Sequence, residues 1–190
     1  ASGLKHVGLV TGALWSDSNG DGKLDLLVTC EWGPVKCFVN VGNGFQDQTH
    51  NAGLAERIGW WNSITGADVD QDGDIDYLVM NVGLNTKYGE ATASRPAMLY
   101  YGDMEGNGKK RIVEAKFDIA GLVSIRGRSR SAMAMPFVGK TFPTYRSYAS
   151  SSLADIFTEE RLNNAMRLEA NHFESGVLIN DGNARFFSWF

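Results

Sequence analysis

The amino-acid sequence predicts a mainly β protein, and three observations support this fold class. The 190 residues include 22 Gly but only 4 Pro, and 11% are aromatic, which is typical of a chain rich in turns and bulky packing residues. Two acidic nonapeptides each lead into a short apolar segment, and a segment with a Gly/Asn turn occurs twice. The pattern indicates strands joined by tight turns rather than a helical bundle.

The first repeated motif is an acidic nonapeptide that occupies residues 17–25 and recurs at residues 68–76. Both copies read D-x-[DN]-x-D-G-x-[LI]-D. Each is followed by an apolar run, Leu-Leu-Val-Thr at 26–29 and Tyr-Leu-Val-Met at 77–80. Runs of this length and composition predict strands, so each acidic loop is expected to lead into a strand.

The nonapeptide carries the donor atoms that a calcium ion prefers. Carboxylate or amide oxygens at positions 1, 3, 5 and 9, with Gly at the sixth for a sharp turn, can surround a cation that takes about 6–8 oxygen ligands. The seventh residue would contribute its backbone carbonyl, so a lysine is tolerated there. Magnesium fits less well, because it demands octahedral geometry and keeps its waters. The candidate metal ligands are Asp17, Asn19, Asp21, Lys23, Asp25, Asp68, Asp70, Asp72, Asp74 and Asp76.

The residue at the twelfth position distinguishes this motif from other calcium-binding loops that begin with the same residues. An EF-hand needs a bidentate Glu there and flanking helices, but the sequence has Val28 and Val79, each inside an expected strand. A dockerin-like module would also continue into a helix, and the apolar run has no helical periodicity. The remaining alternative is an acidic surface turn without metal, although two complete matches before two strands rarely arise by chance.

A second motif recurs at residues 38–45 and 178–186. The first copy reads Phe-Val-Asn-Val-Gly-Asn-Gly-Phe and the second reads Leu-Ile-Asn-Asp-Gly-Asn-Ala-Arg-Phe. Both combine a strand, a Gly/Asn turn and an aromatic residue. They therefore predict one kind of hairpin used twice.

A third acidic loop, residues 103–111, departs from the nonapeptide motif. It keeps oxygen ligands in Asp103, Glu105 and Asn107 and a glycine at the sixth position, but its ninth residue is Arg111. We expect that arginine to fold inward and neutralise Asp103, which would make the turn independent of metal. The alternative is a third calcium site formed by Asp103, Glu105 and Asn107.

Between about residues 116 and 170 the repeat gives way to a pattern typical of helices. Apolar residues follow helical spacing from Tyr145 to Phe157. Thr158 precedes two acidic residues, as a helix N-cap does, and so predicts the start of a further helix. The apolar residues of that helix would be Leu162, Ala165 and Met166. The sequence thus predicts a helical insertion within a β repeat.

Basic residues concentrate in the same region. Residues 109–146 contain 9 basic and 2 acidic side chains, although the whole chain has a formal net charge of −4. One interpretation is a surface for an anionic partner such as an acidic polysaccharide, formed by Arg126, Arg128 and Arg130. The simpler interpretation is one solvated face of a strand, or pairing with the acidic loops.

The cysteines and tryptophans each allow two interpretations. Cys30 and Cys37 flank a Gly-Pro turn and could form a cross-strand disulfide, or both could be free apolar strand residues. Tryptophans near turns could stack on sugars, but large aromatic side chains more often supply burial in β layers. Core packing is expected for Trp15, Trp32, Trp60 and Trp61.

Composition and motifs argue against several functional classes. The net charge of −4 gives no case for a nucleic-acid binder, and no segment approaches the roughly 20 apolar residues of a membrane span. His6, His50 and His172 are isolated along the sequence and are expected to be structural. The sequence shows no nucleophile elbow or His-rich zinc signature, so we assign no catalytic or organic-cofactor residue and consider an enzyme the less favoured class.

The sequence also resembles a known family. The segments 59–68, 76–77 and 81–85 are similar to FG-GAP or VCBS repeats, the calcium-loop blades of β-propellers such as those in integrin α subunits. The closer resemblance is to bacterial secreted VCBS proteins found near ASPIC/UnbV and cartilage-acidic-protein-like sequences, and it extends to 99–103 and 136–148. It implies a blade fold, calcium in the hairpin loops and a secreted, periplasmic or cell-surface location, but it implies no catalytic residue.

Repeat length then sets the expected architecture. A repeat of about 50–60 residues allows roughly three blades in this chain, whereas closed propellers have about 4–8. We therefore expect a partial β-propeller that belongs to a longer protein, with the remainder of the propeller as a partner. Its blade region would span about residues 1–115, the helical insertion about 116–170 and the returning blade strands about 171–190.

Two functional classes remain. The first is a calcium-stabilised binding or adhesion module outside the cytoplasm, whose ligand is an extracellular protein or a polysaccharide. The alternative is the propeller part of an exported polysaccharide-active enzyme. We favour the first, because the motif that the resemblance rests on is a metal loop rather than a catalytic group.

Overall fold

Strands dominate the computed structural model, which describes residues 3–119 and 121–189. Residues 1, 2, 120 and 190 of the expected ranges lie outside the described residues. The strands, in chain order, are β1 (Leu9–Ser16), β2 (Asp25–Gly33), β3 (Lys36–Asn40), β4 (Phe45–Asp47), β5 (Gly59–Ala67), β6 (Asp76–Asn81), β7 (Ala97–Asp103), β8 (Lys110–Asp118), β9 (Gly121–Ser124), β10 (Met166–Ala170), β11 (Gly176–Asn180) and β12 (Phe186–Trp189). The helices are α1 (Arg128–Ala134), α2 (Pro136–Thr141), α3 (Tyr145–Ala149), α4 (Leu153–Phe157) and α5 (Glu159–Asn163).

The chain divides into two compact units. Unit 1 consists of the residues up to Thr86 together with those from Ala170 onward, and unit 2 is Lys87–Glu169. Unit 2 is therefore inserted between β6 and β11 of unit 1. It begins well before residue 116, because β7 and β8 belong to the same sheet as β9 and β10.

Unit 1 is built from two antiparallel meanders of four strands each. In blade 1 the strands β1 to β4 pair in sequence order, and in blade 2 the strands β5, β6, β11 and β12 do the same. A short pairing between β2 and β5, at Glu31↔Trp60 and Gly33↔Gly59, joins the blades. Since such meanders are the units of β-propellers, the expectation of a mainly β fold with partial propeller blades is confirmed.

Strand alternation gives blade 1 two apolar faces. Leu26 and Phe38 lie opposite each other and pack in one cluster with Leu4 and Val7 of the N-terminal segment. Residues one step along the strands point to the other face. On that face Leu27 is fully buried in a core that also contains residues of blade 2.

Blade 2 contributes its own buried side chains to this shared core. Tyr77, Val79 and Leu178 come from β6 and β11, and all three are almost completely inaccessible. Trp61 of β5 is equally buried. The core of unit 1 therefore lies between the two blades.

The two cysteines are free and buried. Cys37 pairs with Leu27, whereas Cys30 lies opposite Val10 on the other side of β2. The cross-strand disulfide is therefore not formed, because the register separates the two thiols. The interpretation as free apolar strand residues is confirmed.

The second repeated motif forms the last hairpin of each blade. Residues 38–45 cover most of β3, its turn and the start of β4, while residues 178–186 link β11 to β12. The prediction of one hairpin used twice is confirmed. Both acidic nonapeptides likewise lead into the second strand of a blade, as predicted.

Unit 2 combines a four-stranded sheet, ordered β10-β7-β8-β9, with the helices α1 to α5. Its separate core includes Met104, Val138, Leu153 and Phe157, which are at most 1% exposed. Helices α3 to α5 agree with the expected insertion, and the Thr158 side chain caps α5 by accepting the Arg161 backbone N–H.

Two predictions about secondary structure in unit 2 are wrong. The helix after Thr158 ends at Asn163, and Met166 begins β10, because pairing with β7 overrides the local helical spacing. The arginine-rich segment does not form one face of a strand, since α1 begins at Arg128. Among the described helices, none is long and apolar enough to cross a membrane.

Candidate metal centre

The two acidic loops occupy equivalent places in the blades of unit 1. Each connects the first strand of its blade to the second, from β1 to β2 and from β5 to β6. The sixth residue of each loop has a positive φ, 79° at Gly22 and 100° at Gly73. Glycine is required there because other residues are strained in this conformation.

The first and fifth residues of the loops fold the backbone in the same way. The carboxylate of Asp17 accepts the backbone N–H of Gly22 at 2.8 Å, and Asp68 accepts that of Gly73 at 3.2 Å. The fifth residues, Asp21 and Asp72, each accept the N–H two residues later at 2.9 Å. The repeated sequence thus produces a repeated loop geometry.

The ninth residue is buried in both loops. Asp25 accepts hydrogen bonds from the backbone N–H of Ser18 at 3.1 Å and that of Asn40 at 2.8 Å. Asp76 makes the corresponding pair of contacts, to Val69 at 2.8 Å and Asn180 at 2.9 Å. Each carboxylate therefore ties its own loop to the third strand of the same blade.

The partners of these buried carboxylates were missed by the sequence-based ligand assignment. Asn40 and Asn180 occupy the same place in the repeated hairpin, and that recurrence was the available signal. The Asn180 side chain also donates to the Ser18 carbonyl at 3.0 Å. The first loop is thereby attached to both blades.

Three of the predicted ligands of the second loop form a cluster. Carboxylate oxygens of Asp68, Asp70 and Asp76 all lie within 4.8 Å of one another. Desolvation, and then repulsion from Asp72 and Asp76, raises the pKa of Asp70. Such a group of oxygen donors could hold a hard cation, which would remove the repulsion.

The remaining predicted ligands lie around the loops. Asp74 approaches the turn between β11 and β12, where a Cβ atom on Gly182 would lie 2.5 Å from its Oδ2. In the first loop the Lys23 ammonium lies 3.0 Å from Asp21 and lowers the pKa of that carboxyl. Asn19 accepts the Asp21 backbone N–H at 3.1 Å. The first loop thus carries a partly neutralised set of donors.

The third loop, in unit 2, repeats the backbone pattern with different charges. Asp103 accepts the N–H of Gly108 at 2.7 Å, and Asn107 accepts that of Lys109 at 2.9 Å. The expectation that Arg111 pairs with Asp103 is wrong, because its guanidinium lies 3.5 Å from Glu105 instead. Backbone N–H groups satisfy Asp103 and lower its pKa. The arginine therefore neutralises the third residue of the loop rather than the first.

Two of the three arginines considered for an anionic partner have internal contacts. Arg126 lies 3.4 Å from Glu114. Arg128 donates to the carbonyl oxygens of Phe142 and Gly139, whereas Arg130 is exposed. Arg126 and Arg128 are therefore engaged by groups of unit 2.

The tryptophans pack mainly as predicted. Trp61 is fully buried and stacks with His172 at a centroid distance of 5.7 Å, and Trp32 contacts Trp60 at 5.9 Å. Trp15 is the exception, because 54% of its surface is exposed, although its ring lies 5.6 Å from that of Phe45. Its assignment to the core is wrong: Trp15 lies opposite Leu26, on the face that Leu4 and Val7 pack against, but more than half of its side chain stays exposed.

Comparison with known families supports the repeat. A sequence model described as the FG-GAP-like repeat matches residues 17–79, which include both nonapeptides and the strands from β2 to most of β6. No curated protein matches the chain. Residues 17–79 of unit 1 are therefore similar to an FG-GAP-like repeat, and the acidic loops in this segment connect the first and second strands of two propeller-type blades.

Proposed function

We propose that this chain is a calcium-stabilised binding module that works outside the cytoplasm. The observation that carries the proposal is the cluster of Asp68, Asp70 and Asp76, whose oxygens lie within 4.8 Å of one another. Asp17, Asn19, Asp21 and Asp25 would supply the equivalent site in the first loop, completed by water.

The chemistry of the donors fits calcium better than other biological metals. The loops offer carboxylate, amide and carbonyl oxygens, which are hard ligands, and they contain neither histidine nor cysteine. The backbone is already wound by hydrogen bonds to the first and fifth side chains. A bound ion would neutralise carboxylates that otherwise repel one another.

An extracellular setting follows from the expected affinity. Loops of this size without a bidentate twelfth ligand resemble weaker sites, and calcium is abundant outside cells. The similarity of residues 17–79 to FG-GAP-like repeats supports the same setting. We propose adhesion or ligand display as the role, with an extracellular protein or a polysaccharide as the ligand.

Exposed apolar side chains on the outer face of blade 2 are evidence for a second proposed partner, a further propeller blade. Met80 and Phe187 on this face are 51% and 64% exposed. The equivalent face of blade 1, around Leu27 and Cys37, is buried against blade 2. A third blade packed in the same way would cover the exposed apolar side chains.

The number of bound calcium ions tests the metal part of the proposal. Equilibrium dialysis followed by metal analysis is expected to give two ions per chain, and Asp70→Ala, which removes the third-position oxygen ligand, should lower this number to one. Lys23→Gln is the control. Lys23 is the seventh residue of the first loop and would bind calcium through its backbone carbonyl, so changing its side chain should leave two ions bound. Absence of bound calcium at millimolar concentration would contradict the proposal.

A further inference from the structure

A cavity of about 490 Å³ in unit 2 is separate from the acidic loops of unit 1. It lies where the β7–β8 hairpin meets the end of α5 and the start of β10. Its lining combines two cations, a carboxylate, an amide, an aromatic ring and a thioether: Tyr101, Gly102, Asp103, Lys110, Arg161, Asn164 and Met166. The volume falls within the range of about 300–1,000 Å³ that is typical of small-molecule sites.

The floor of this cavity is fixed by close packing. A Cβ atom on Gly102 would lie 2.8 Å from the Cβ of Ala165, so only glycine allows β7 to approach this segment. Arg161 is also fixed, because its Nη1 donates to the Met104 carbonyl at 3.0 Å. Thr158 is the N-cap of the helix that carries Arg161, and its φ of 63° is unusual for a β-branched residue. Strained backbone of this kind concentrates at functional sites.

The two cations of the lining lack carboxylate partners within residues 3–119 and 121–189. The neighbouring ion pairs join Arg111 to Glu105 and Arg167 to Glu169. Lys110 instead lies over the Tyr101 ring, with its Nζ 5.4 Å from the ring centre. The one acid in the lining, Asp103, is already engaged by the backbone N–H groups of its loop. The lining therefore contains two cations and one carboxylate, which gives it a net formal charge of +1.

We propose that this cavity binds an acidic saccharide through the carboxylate of a uronic acid residue. Arg161 and Lys110 would donate to the carboxylate, since guanidinium groups match the planar geometry of carboxylates. Asn164, which is exposed at the end of α5, would bond a sugar hydroxyl. Tyr101 and Met166, which are 38% and 54% exposed, provide apolar surface for the sugar ring.

This inference rests on the proposed binding role and names a ligand class for it. It also places the site for an anionic ligand at Lys110 and Arg161 rather than at Arg126 and Arg128, which have internal contacts. Calcium binding to unit 1 is measured separately, so failure of one proposal leaves the other open to its own test.

Calorimetric titration of the full chain with a galacturonic acid trimer tests the site. The titration is made in calcium-free buffer, because uronates themselves bind calcium. We expect saturable binding that the methyl-esterified, uncharged trimer does not reproduce. Lys110→Gln should weaken binding about tenfold, as expected for loss of a charge-assisted hydrogen bond. Lys110 is exposed, so this variant should fold normally.

Lys109→Gln is the matched control, since it removes the adjacent lysine, which does not line the cavity. It should bind the trimer as the native chain does. Three results would overturn the proposal: no binding of the acidic trimer, equal binding by Lys110→Gln, or equal binding of the esterified trimer. Competition by inorganic sulfate at the same affinity would show an anion site without saccharide recognition and would also overturn it.

Discussion

Asp25 and Asp76 combine two roles in one side chain. Each is a candidate ninth ligand of an acidic loop and also accepts backbone hydrogen bonds from its own loop and from the third strand of its blade. Both are fully buried. Burial of a carboxylate is tolerated only where such partners replace water. Part of their contribution should therefore persist when no metal is bound.

We predict that Asp76→Asn destabilises unit 1 even in excess chelator. Asparagine has one acceptor oxygen, so the N–H of either Val69 or Asn180 would lose its acceptor, at a cost of about 1–3 kcal/mol. Urea unfolding followed by tryptophan fluorescence measures this, because all 5 tryptophans belong to unit 1.

Asp181→Asn is the control for this measurement. Asp181 is exposed and accepts the Asn183 N–H at 2.9 Å, a bond that asparagine can keep. Its effect should stay within about 0.5 kcal/mol. Equal stability of Asp76→Asn and the control would show that the buried hydrogen bonds contribute little.

The buried thiols provide a prediction about pH. Desolvation raises the pKa of Cys37 from 9.0 to about 12 and also raises that of Cys30. Neither should react with a thiol reagent at pH 8 in the folded chain, whereas both should react in urea. Because the folded-state pKa is above the unfolded value, the thiols favour folding below about pH 9 and this stabilisation falls as the pH rises towards 12. Rapid labelling of the folded chain at pH 8 would contradict the burial.

The sequence predicted strands, loops and hairpins correctly wherever a short, continuous motif determines them. The nonapeptides predicted the loops and the following strands, and the recurring Gly/Asn segment predicted the last hairpin of each blade. The tie from Asp76 to Asn180 could not be predicted, because it spans 104 residues and depends on the inserted unit returning the chain to blade 2. Met166 was misassigned for a related reason, since a long-range pairing with β7 decides its conformation.

The three acidic loops differ mainly in the positive group that would neutralise their carboxylates, a metal ion in the first two and an arginine in the third. In the third loop Arg111 stands at the ninth position and pairs with Glu105, while the backbone bonds to Asp103 and Asn107 match those of the other loops. The guanidinium thus supplies positive charge from within the chain. We infer that this loop keeps its shape without a metal ion.

We predict that Arg111→Asp creates a third calcium site. The change restores an acid at the ninth position and removes the internal cation, so dialysis should show three bound ions rather than two. Lys109→Asp is the matched control, because it makes the same charge change in the same loop at the seventh position, where the backbone would be the ligand. A third ion bound by the control alone, or by neither variant, would contradict this explanation.

At the scale of the whole molecule, the chain separates a repeat from an insertion. Unit 1 holds the FG-GAP-like segment and both candidate calcium loops, and unit 2 holds the loop with the internal arginine and the cationic cavity. The sequence predicted the helical part of the insertion but not its first two strands, β7 and β8. Those strands resemble another repeat locally, and only their pairing with β9 and β10 assigns them to unit 2.

The most direct test of the central claim is the thermal midpoint of unit 1, read by tryptophan fluorescence in millimolar calcium and in excess chelator. An ion that binds only the folded state raises the midpoint by mass action, so we expect an increase of several degrees in calcium. Asp72→Ala should lose part of this increase. Asp181→Ala is the matched control and should keep the whole increase. Asp181, like Asp72, is an exposed carboxylate that accepts the backbone N–H two residues later at 2.9 Å, but it lies outside the candidate calcium loops. Equal midpoints in calcium and chelator for the native chain would contradict the account of unit 1 as a calcium-stabilised module.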